Sequence, residues 1–204
     1  MSDFGVCLVA DLAPAPATHR KRLEPEMTSA FEEANEHFSG GLRIPFHGIG
    51  GGVWTGALGV LGTALDAAFY INHAMFPART CIGLGAGALG SGELRESSCF
   101  ARARRGLEMA RGIGGGTTLD SGDSLLDLGA NTMLLLLHTL LESWTPKQLE
   151  AYQAFQREGT ENRAAQSLGI SQSALHQRLS ASRAKTYEQA RTRMLEFVAR
   201  CARS

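Results

Sequence analysis

The sequence predicts an α+β protein, with a ferredoxin-like N-terminal domain followed by an all-α helix-turn-helix domain. Apolar runs and amphipathic stretches alternate in the first half, in the order strand, helix, strand, strand, helix, strand, helix, which is the ferredoxin-like pattern. Past residue 145 the apolar residues recur at helical spacing, in short segments separated by glycines. We therefore expect domains over residues 1–122 and 145–204, connected by a helix over residues 123–144.

The spacing of apolar residues predicts the helices and strands of the N-terminal domain. Gly5–Ala10 is a continuous apolar run, which predicts a buried strand, and His19–Phe38 has apolar residues three and four apart, which predicts an amphipathic helix. The elements predicted next are a hairpin of Leu42–Ile49 and Val53–Leu58, a helix over Gly59–Met75, a strand over Thr80–Leu89 and a helix over Cys99–Arg111. Gly112–Gly122 is rich in Gly, Thr and Ser and predicts a loop or linker.

The leucine-rich segment Asp123–Trp144 predicts a long helix. Its leucines lie nearly all round the helix axis, so it must be buried against something. A core helix of the first domain and a dimerisation or connecting helix both fit this composition. Neither the most apolar part of this segment, Asn131–Leu141, nor the uncharged Gly48–Leu65 reaches the roughly 20 predominantly apolar residues of a membrane span. We expect a protein that makes no membrane contact.

The C-terminal segment has the clearest local signals. Thr145 and Gln148 occupy capping-box positions, with a proline between them at the first helical position. Thr160 is placed to cap a second helix. A third helix, capped by Ser171, completes a pattern over some twenty residues. The pattern consists of a small residue where two helices approach, a glycine that permits a tight turn, an apolar plug, a cap and a packing leucine, at Ala165, Gly169, Ile170, Ser171 and Leu175.

This pattern over Ala165–Leu179 resembles the DNA-reading units of bacterial regulators and of sigma-factor-like domains. In such units the recognition helix, here the third helix of the C-terminal segment, enters the major groove and presents side chains to base edges. The candidate DNA-binding residues are Ser171, Gln172, Ser173, His176 and Gln177 on that helix, and Arg163, Arg178, Arg183 and Lys185 for phosphates. A three-helix module for protein contacts is the alternative.

Charge is unevenly distributed along the chain. The 20 basic and 20 acidic side chains cancel, which taken alone argues against a nucleic-acid partner. Residues 142–204, however, hold ten Lys and Arg against six Asp and Glu, a net charge of +4, and residues 1–141 balance this with −4. The basic part is therefore the part with the helix-turn-helix pattern, as phosphate binding requires.

The four cysteines are Cys7, Cys81, Cys99 and Cys201, and they are far apart in the sequence. No C-x-x-C spacing or neighbouring histidine pair accompanies them, so we expect reduced thiols in a cytoplasmic protein, with no zinc and no other cofactor. The glycines of the segment Gly85-x-Gly87-x-x-Gly90 match a dinucleotide fingerprint by letter. A helix does not follow at once, so the strand–turn–helix context of that site is missing.

Several N-terminal segments together resemble a known family. Val9-Ala10-Asp11 ends the first strand, Pro45-Phe46 precedes the glycine-centred hairpin, Cys81–Gly87 alternates glycines along a strand, and Ser98–Arg104 opens a helix. In this order, and with a C-terminal helix-turn-helix, the chain is similar to the bacterial SatD family. The resemblance spans most of the chain on short motifs, and it implies a nucleotide-cyclase-like ferredoxin fold for residues 1–122.

The chain departs from that family at the hairpin. A Gly-Asp-Glu-Phe-Gln type motif is usual there, whereas Gly52 and Val53 occupy the positions of the acidic pair in this sequence. Two catalytic metal ions need carboxylates from the first strand and from the hairpin, and only Asp11 remains. We expect a degenerate domain with no catalytic residue and no bound metal, in which Asp11 ends the strand. A repurposed ligand pocket is the open alternative, formed by Asp11, Gly50, Gly51, Gly52 and Gly85.

The leading hypothesis is thus a cytoplasmic, homodimeric transcriptional regulator that binds double-stranded DNA. Two recognition helices are expected because one covers too few base pairs for tight specific binding. The N-terminal domain would serve dimerisation or would sense a small-molecule or nucleotide effector. The alternative hypothesis is a nucleotide-binding sensor or cyclase-like enzyme whose helix-turn-helix docks a partner.

Overall fold

The computed structural model of the chain describes residues 4–90 and 92–201. Its strands are β1 (Phe4–Leu12), β2 (Leu42–Gly48), β3 (Trp54–Leu58), β4 (Thr80–Ala88) and β5 (Gly116–Asp120). Its α-helices are α1 (Ala17–His37), α2 (Leu61–Met75), α3 (Ser98–Gly112), α4 (Ser124–Glu142), α5 (Pro146–Glu158), α6 (Glu161–Ser167), α7 (Gln172–Ala181) and α8 (Ala184–Cys201). A 3₁₀ turn, Leu94–Glu96, precedes α3.

The strands form one mixed sheet in the order β2-β3-β1-β4-β5. The pairs β2–β3, β1–β3 and β1–β4 are antiparallel, and β4–β5 is parallel. The first four strands, with α1 and α2 as crossovers, have the ferredoxin-like order. The predicted α+β class, a ferredoxin-like sheet domain plus a helical part, is confirmed.

Strand β5 lies inside the segment whose composition indicated a linker. Gly116–Asp120 pairs in parallel with β4, and Thr117, Thr118 and Leu119 are buried. The Thr118 hydroxyl donates a hydrogen bond to the carbonyl of Gly106 in α3, at 2.6 Å. Small polar residues occupy this strand because α3 lies directly over it. The small side chains therefore mark close packing here, not a flexible connection.

Helix α3 packs on β4 at backbone distance. A Cβ built on Gly83 would lie 2.0 Å from the Ala103 carbonyl oxygen, and one on Gly85 would lie 2.2 Å from the Ala103 nitrogen. Gly106 of α3 completes the contact, because its own Cβ would lie 3.1 Å from the Gly83 Cα. The glycines of β4 thus lie within a strand that closely approaches a helix, as glycines in strands commonly do.

Helix α4 has one attached face and one exposed face. Its Asn131 side chain accepts the Leu119 N–H and donates to the Leu119 carbonyl, at 2.7 and 2.8 Å, and Asp127 accepts from Ser121. These bonds fix α4 to the end of β5. Contrary to the prediction that this segment falls short of a membrane span, α4 is long and apolar enough to cross a membrane by length and composition, and it is the one such helix within residues 4–90 and 92–201.

The contacts divide the chain into two compact units. The first contains the sheet and runs to Leu135, together with the chain from Met194 onward, where the Phe197 ring packs against Gly129 of α4. The second, which we call the helical unit, is Leu136–Arg193. The helical unit contains all of the predicted DNA-binding residues.

Candidate nucleic-acid interface

Helices α6 and α7 are joined by a tight turn at the positions that the sequence indicated. Gly169 has a φ of +63°, which glycine adopts without strain. The Ile170 N–H donates to the carbonyl of Ala165 at 3.0 Å, and the Leu168 N–H to that of Ala164 at 3.1 Å. The turn therefore closes the C-terminus of α6 and redirects the chain into α7.

Small side chains allow α5, α6 and α7 to pack closely. The core of the three helices consists of Ala151, Ala154, Ala164, Ala165 and Leu175, all buried. Half-buried apolar residues pack around it, namely Phe155, Leu168, Ile170 and Leu179. The inward positions predicted for Ala165, Ile170 and Leu175 are confirmed, which leaves the opposite faces of α6 and α7 to solvent.

Each of the three helices begins with a side-chain cap. Thr145 and Gln148 form the predicted capping box before α5, and the Thr160 hydroxyl accepts the Arg163 N–H before α6. Ser171 accepts the Ala174 N–H at 3.1 Å before α7. Ser171 therefore fixes the start of α7, a role that orients the residues after it.

The predicted base-reading side chains share one exposed face of α7. Gln172, Ser173, His176 and Gln177 recur at one and four residues apart, and all are exposed. The His176 ring differs from the other three, because its Nδ1 lies 3.3 Å from a carboxylate oxygen of Glu161 at the start of α6. Among the described residues the two amides and the Ser173 hydroxyl of this face have no hydrogen-bond partner, whereas the His176 imidazole has one.

The predicted phosphate-binding cations fall into two groups. Arg163, Arg183 and Lys185 are exposed, and within the described chain their side chains have no ion-pair or hydrogen-bond partner. The side chain of Arg178 is 24% exposed and its Nη1 lies 3.3 Å from Glu150 of α5. The first three are available to an anionic partner, and Arg178 connects α7 to α5.

Three buried aromatic side chains pack against one another inside the helical unit. The rings of Trp144, Tyr152 and Tyr187 make edge-to-face and tilted contacts, with ring centroids 5.0–5.6 Å apart. Burial raises the pKa of both tyrosines, and for Tyr152 a hydrogen bond to Glu188 of α8 raises it further. These neutral phenols therefore act as packing groups at every physiological pH.

The ligand pocket predicted in the sheet domain is centred on Asp11, which the structure shows in a closed set of contacts. Asp11 is 4% exposed. One of its oxygens accepts the Leu12 N–H at 2.7 Å and a bond from Arg20, and the other accepts from Arg111 at 2.6 Å. Burial alone would lower the pKa of Arg111. Its hydrogen bonds and charge interactions with Asp11 and Glu108 outweigh this effect, so the pKa of Arg111 is raised. The carboxylate thus has two arginine partners.

The hairpin glycines lie close to this centre, and Gly85 does not. Gly50, Gly51 and Gly52 line a cavity of about 360 Å³ between the hairpin and α1, and a Cβ on Gly52 would lie 3.8 Å from an Asp11 oxygen. Gly85 lies instead against α3. Among the described residues no cluster of three or more His, Cys, Asp or Glu could hold a metal ion.

Sequence reasoning missed Arg20 and Arg111. They lie nine and 100 residues from Asp11 in the chain. Arginines on exposed helix faces are common, so no local pattern distinguishes these two. The sequence could have shown that Asp11 lacks acidic neighbours, but not what replaces them.

No protein-family model matches the chain, and no curated protein matches its sequence. Among solved structures, the chain is similar to the regulator of polyketide synthase expression from Bifidobacterium adolescentis. The match covers 96% of this chain and 86% of that one, at 13% identity and a TM-score of 0.32. The similarity to the SatD family stays a prediction.

Proposed function

We propose that the protein is a homodimeric, cytoplasmic transcriptional regulator that binds double-stranded DNA through α7. The proposal rests on the exposed polar face of α7, which follows a turn at Gly169, and on three exposed cations of the same helical unit that have no side-chain partner among the described residues. A helix positioned in this way enters the major groove with its N-terminal residues toward the bases.

The polar side chains of α7 contact the bases, and the cations near it contact the DNA phosphates. Gln172 and Gln177 offer amides that form paired hydrogen bonds with adenine, and Ser173 adapts to several bases. Arg163, Arg183 and Lys185 contact phosphates, which supply affinity without selecting a sequence. Arg178 and Ser171 act indirectly, because they hold α7 against α5 and at its cap.

The partner surface for the second copy is the exposed leucine row of α4. Leu125, Leu128 and Leu135, all in the first compact unit, are 75%, 67% and 46% exposed. Their spacing places these leucines along one side of the helix. The other exposed residues that lie between them in α4 carry no charge. Two copies related by a two-fold axis therefore meet without like-charge repulsion, and each covers the other's leucines.

The N-terminal domain is not proposed as an enzyme. A catalytic carboxylate must face the metal and the phosphates of a substrate, whereas both oxygens of Asp11 accept from arginines. The alternative, a nucleotide-binding sensor or cyclase-like enzyme, predicts magnesium-dependent nucleotide binding that is lost in Asp11→Asn. Calorimetry with a nucleotide panel, with and without magnesium, decides between the two.

The decisive experiment is selection of bound DNA from sheared bacterial genomic DNA by the full-length protein, followed by sequencing. We expect an enriched palindrome whose half-sites lie about 34–36 Å apart. In anisotropy titrations with that duplex, Gln172→Ala and Gln177→Ala should each weaken specific binding by about 1–3 kcal/mol. Gln153→Ala, an exposed glutamine of α5, is the matched control. Equal affinity for the recovered duplex and for scrambled DNA would contradict the proposal.

A further inference from the structure

The helical unit contains a cleft of about 710 Å³ between α5, α7 and the start of α8. Tyr152, Phe155 and Leu179 supply apolar surface to it, and His176, Arg183 and Lys185 are among its polar lining residues. Pockets of this volume with an apolar lining and a few polar groups are typical small-molecule sites.

The two acids that line the cleft already have partners, whereas two of its cations do not. Glu188 pairs with Arg191 at 3.1 Å, and Glu161 shares a hydrogen bond with the His176 ring at 3.3 Å. Arg183 and Lys185 have no side-chain partner among the described residues. An apolar surface beside two unpaired cations fits a ligand with an apolar body and one anionic group.

The backbone at Arg183 supports a functional role for this position. Arg183 has a φ of +54°, and it is the one residue other than glycine with a positive φ in the described chain. A left-handed conformation at a residue with a Cβ costs on the order of 1–2 kcal/mol, and such strain is concentrated at functional sites. The strained residue here is also one of the two unpaired cations.

We propose that this cleft binds a small aromatic carboxylic acid, and that the acid opposes DNA binding. The inference rests on the proposed function in one respect: Arg183 and Lys185 are also the proposed phosphate contacts. A carboxylate bound between them neutralises the charges that the DNA backbone needs. The same occupancy changes the surroundings of His176 on the base-reading face.

The binding test uses 1-naphthoate as the probe and the neutral 1-naphthamide as its isostere, with the full-length protein and no DNA. Calorimetry should show saturable binding of naphthoate and binding of the amide at least about tenfold weaker, because a charge-assisted contact is lost. Arg183→Gln and Lys185→Gln keep the side-chain stems and should each weaken naphthoate binding about five- to tenfold. Arg163→Gln removes an exposed cation that does not line the cleft and should leave it unchanged.

The coupling test measures DNA affinity with and without saturating naphthoate. We expect affinity for the recovered duplex to fall about tenfold, with a shallower salt dependence because phosphate contacts are lost. Absence of saturable naphthoate binding, equal binding of acid and amide, or equal effects of Arg163→Gln and Arg183→Gln would overturn the site. If naphthoate binds as expected but the protein selects no DNA, the proposed DNA-binding function is wrong, whereas the proposed ligand site is supported. If naphthoate binds and DNA affinity does not change, the antagonism is wrong.

Discussion

Gly85 of β4 and Ala103 of α3 are in backbone contact, so that a Cβ on Gly85 would lie 2.2 Å from the Ala103 nitrogen. Neither partner is the flexible end of a side chain. The helix must therefore move as a whole before any side chain fits at position 85. Gly83, one strand repeat away, has the same relationship with the Ala103 carbonyl oxygen, at 2.0 Å.

Gly85→Ala should lower the free energy of unfolding by about 3 kcal/mol or more, at the upper end of what overpacking costs in cores. Gly62→Ala is the control, since Gly62 lies in α2 with nothing within 4 Å of the position of its Cβ. That change should stabilise by about 0.5–1 kcal/mol through helix propensity. Urea unfolding followed by circular dichroism measures both. Equal stability of the two variants would show that α3 does not lie at backbone distance.

The Asp11 contacts give a second stability prediction. Asp11→Asn keeps the shape of the side chain but leaves Arg20 and Arg111 without their buried anion. Since both arginines are partly exposed and water screens them, we expect a loss of about 1–3 kcal/mol in the free energy of unfolding. Arg105→Gln, which breaks the more exposed pair with Asp120, should cost less than about 1 kcal/mol. An Asp11→Asn variant as stable as the parent would argue that the carboxylate is kept for a ligand.

The sequence predicted the caps, the turn and the inward residues of α5, α6 and α7 because their determinants are local. The caps, the turn glycine and the small core residues lie within a few residues of the groups that they serve. Thr145, Ser171 and Gly169 were therefore identifiable from type and spacing alone, and their structural roles are confirmed.

Less of the sheet domain could be predicted from the sequence, because its contacts join distant parts of the chain. β5 pairs with β4 only after α3 has crossed between them, so its short Gly/Thr sequence resembled a linker. The Asp11–Arg111 pair likewise depends on where α3 ends relative to β1. Periodicity places elements in order, but it does not show which side chains from separate elements meet.

Substitutions of Arg183 should affect the stability of the fold and the affinity for DNA differently. Arg183→Gly relieves the positive φ, so we expect it to be about 1 kcal/mol more stable than Arg183→Ala, which retains the strain. Both variants lose the cation, and both should weaken DNA binding and reduce the slope of log affinity against log salt by about 0.9 per half-site. Thermal unfolding and salt-dependent anisotropy measure the two effects. An alanine variant at least as stable as the glycine variant would be inconsistent with strain at this residue.

The exposed leucine row of α4 should hold two copies of the chain together as a dimer. Leu128→Glu places a charge on that exposed face in each copy, so two copies would bring like charges together. We expect sedimentation equilibrium to show a dimer for the parent chain and a monomer for this variant, with circular dichroism unchanged because Leu128 is 67% exposed. DNA affinity should fall by at least about 100-fold, since one recognition helix alone gives weak specific binding. Met109→Glu changes an exposed apolar residue of α3 and should leave the dimer intact. A parent chain that is monomeric and sediments with lipid vesicles, while Leu128→Glu does not, would assign the leucine row to a membrane surface instead of a second copy.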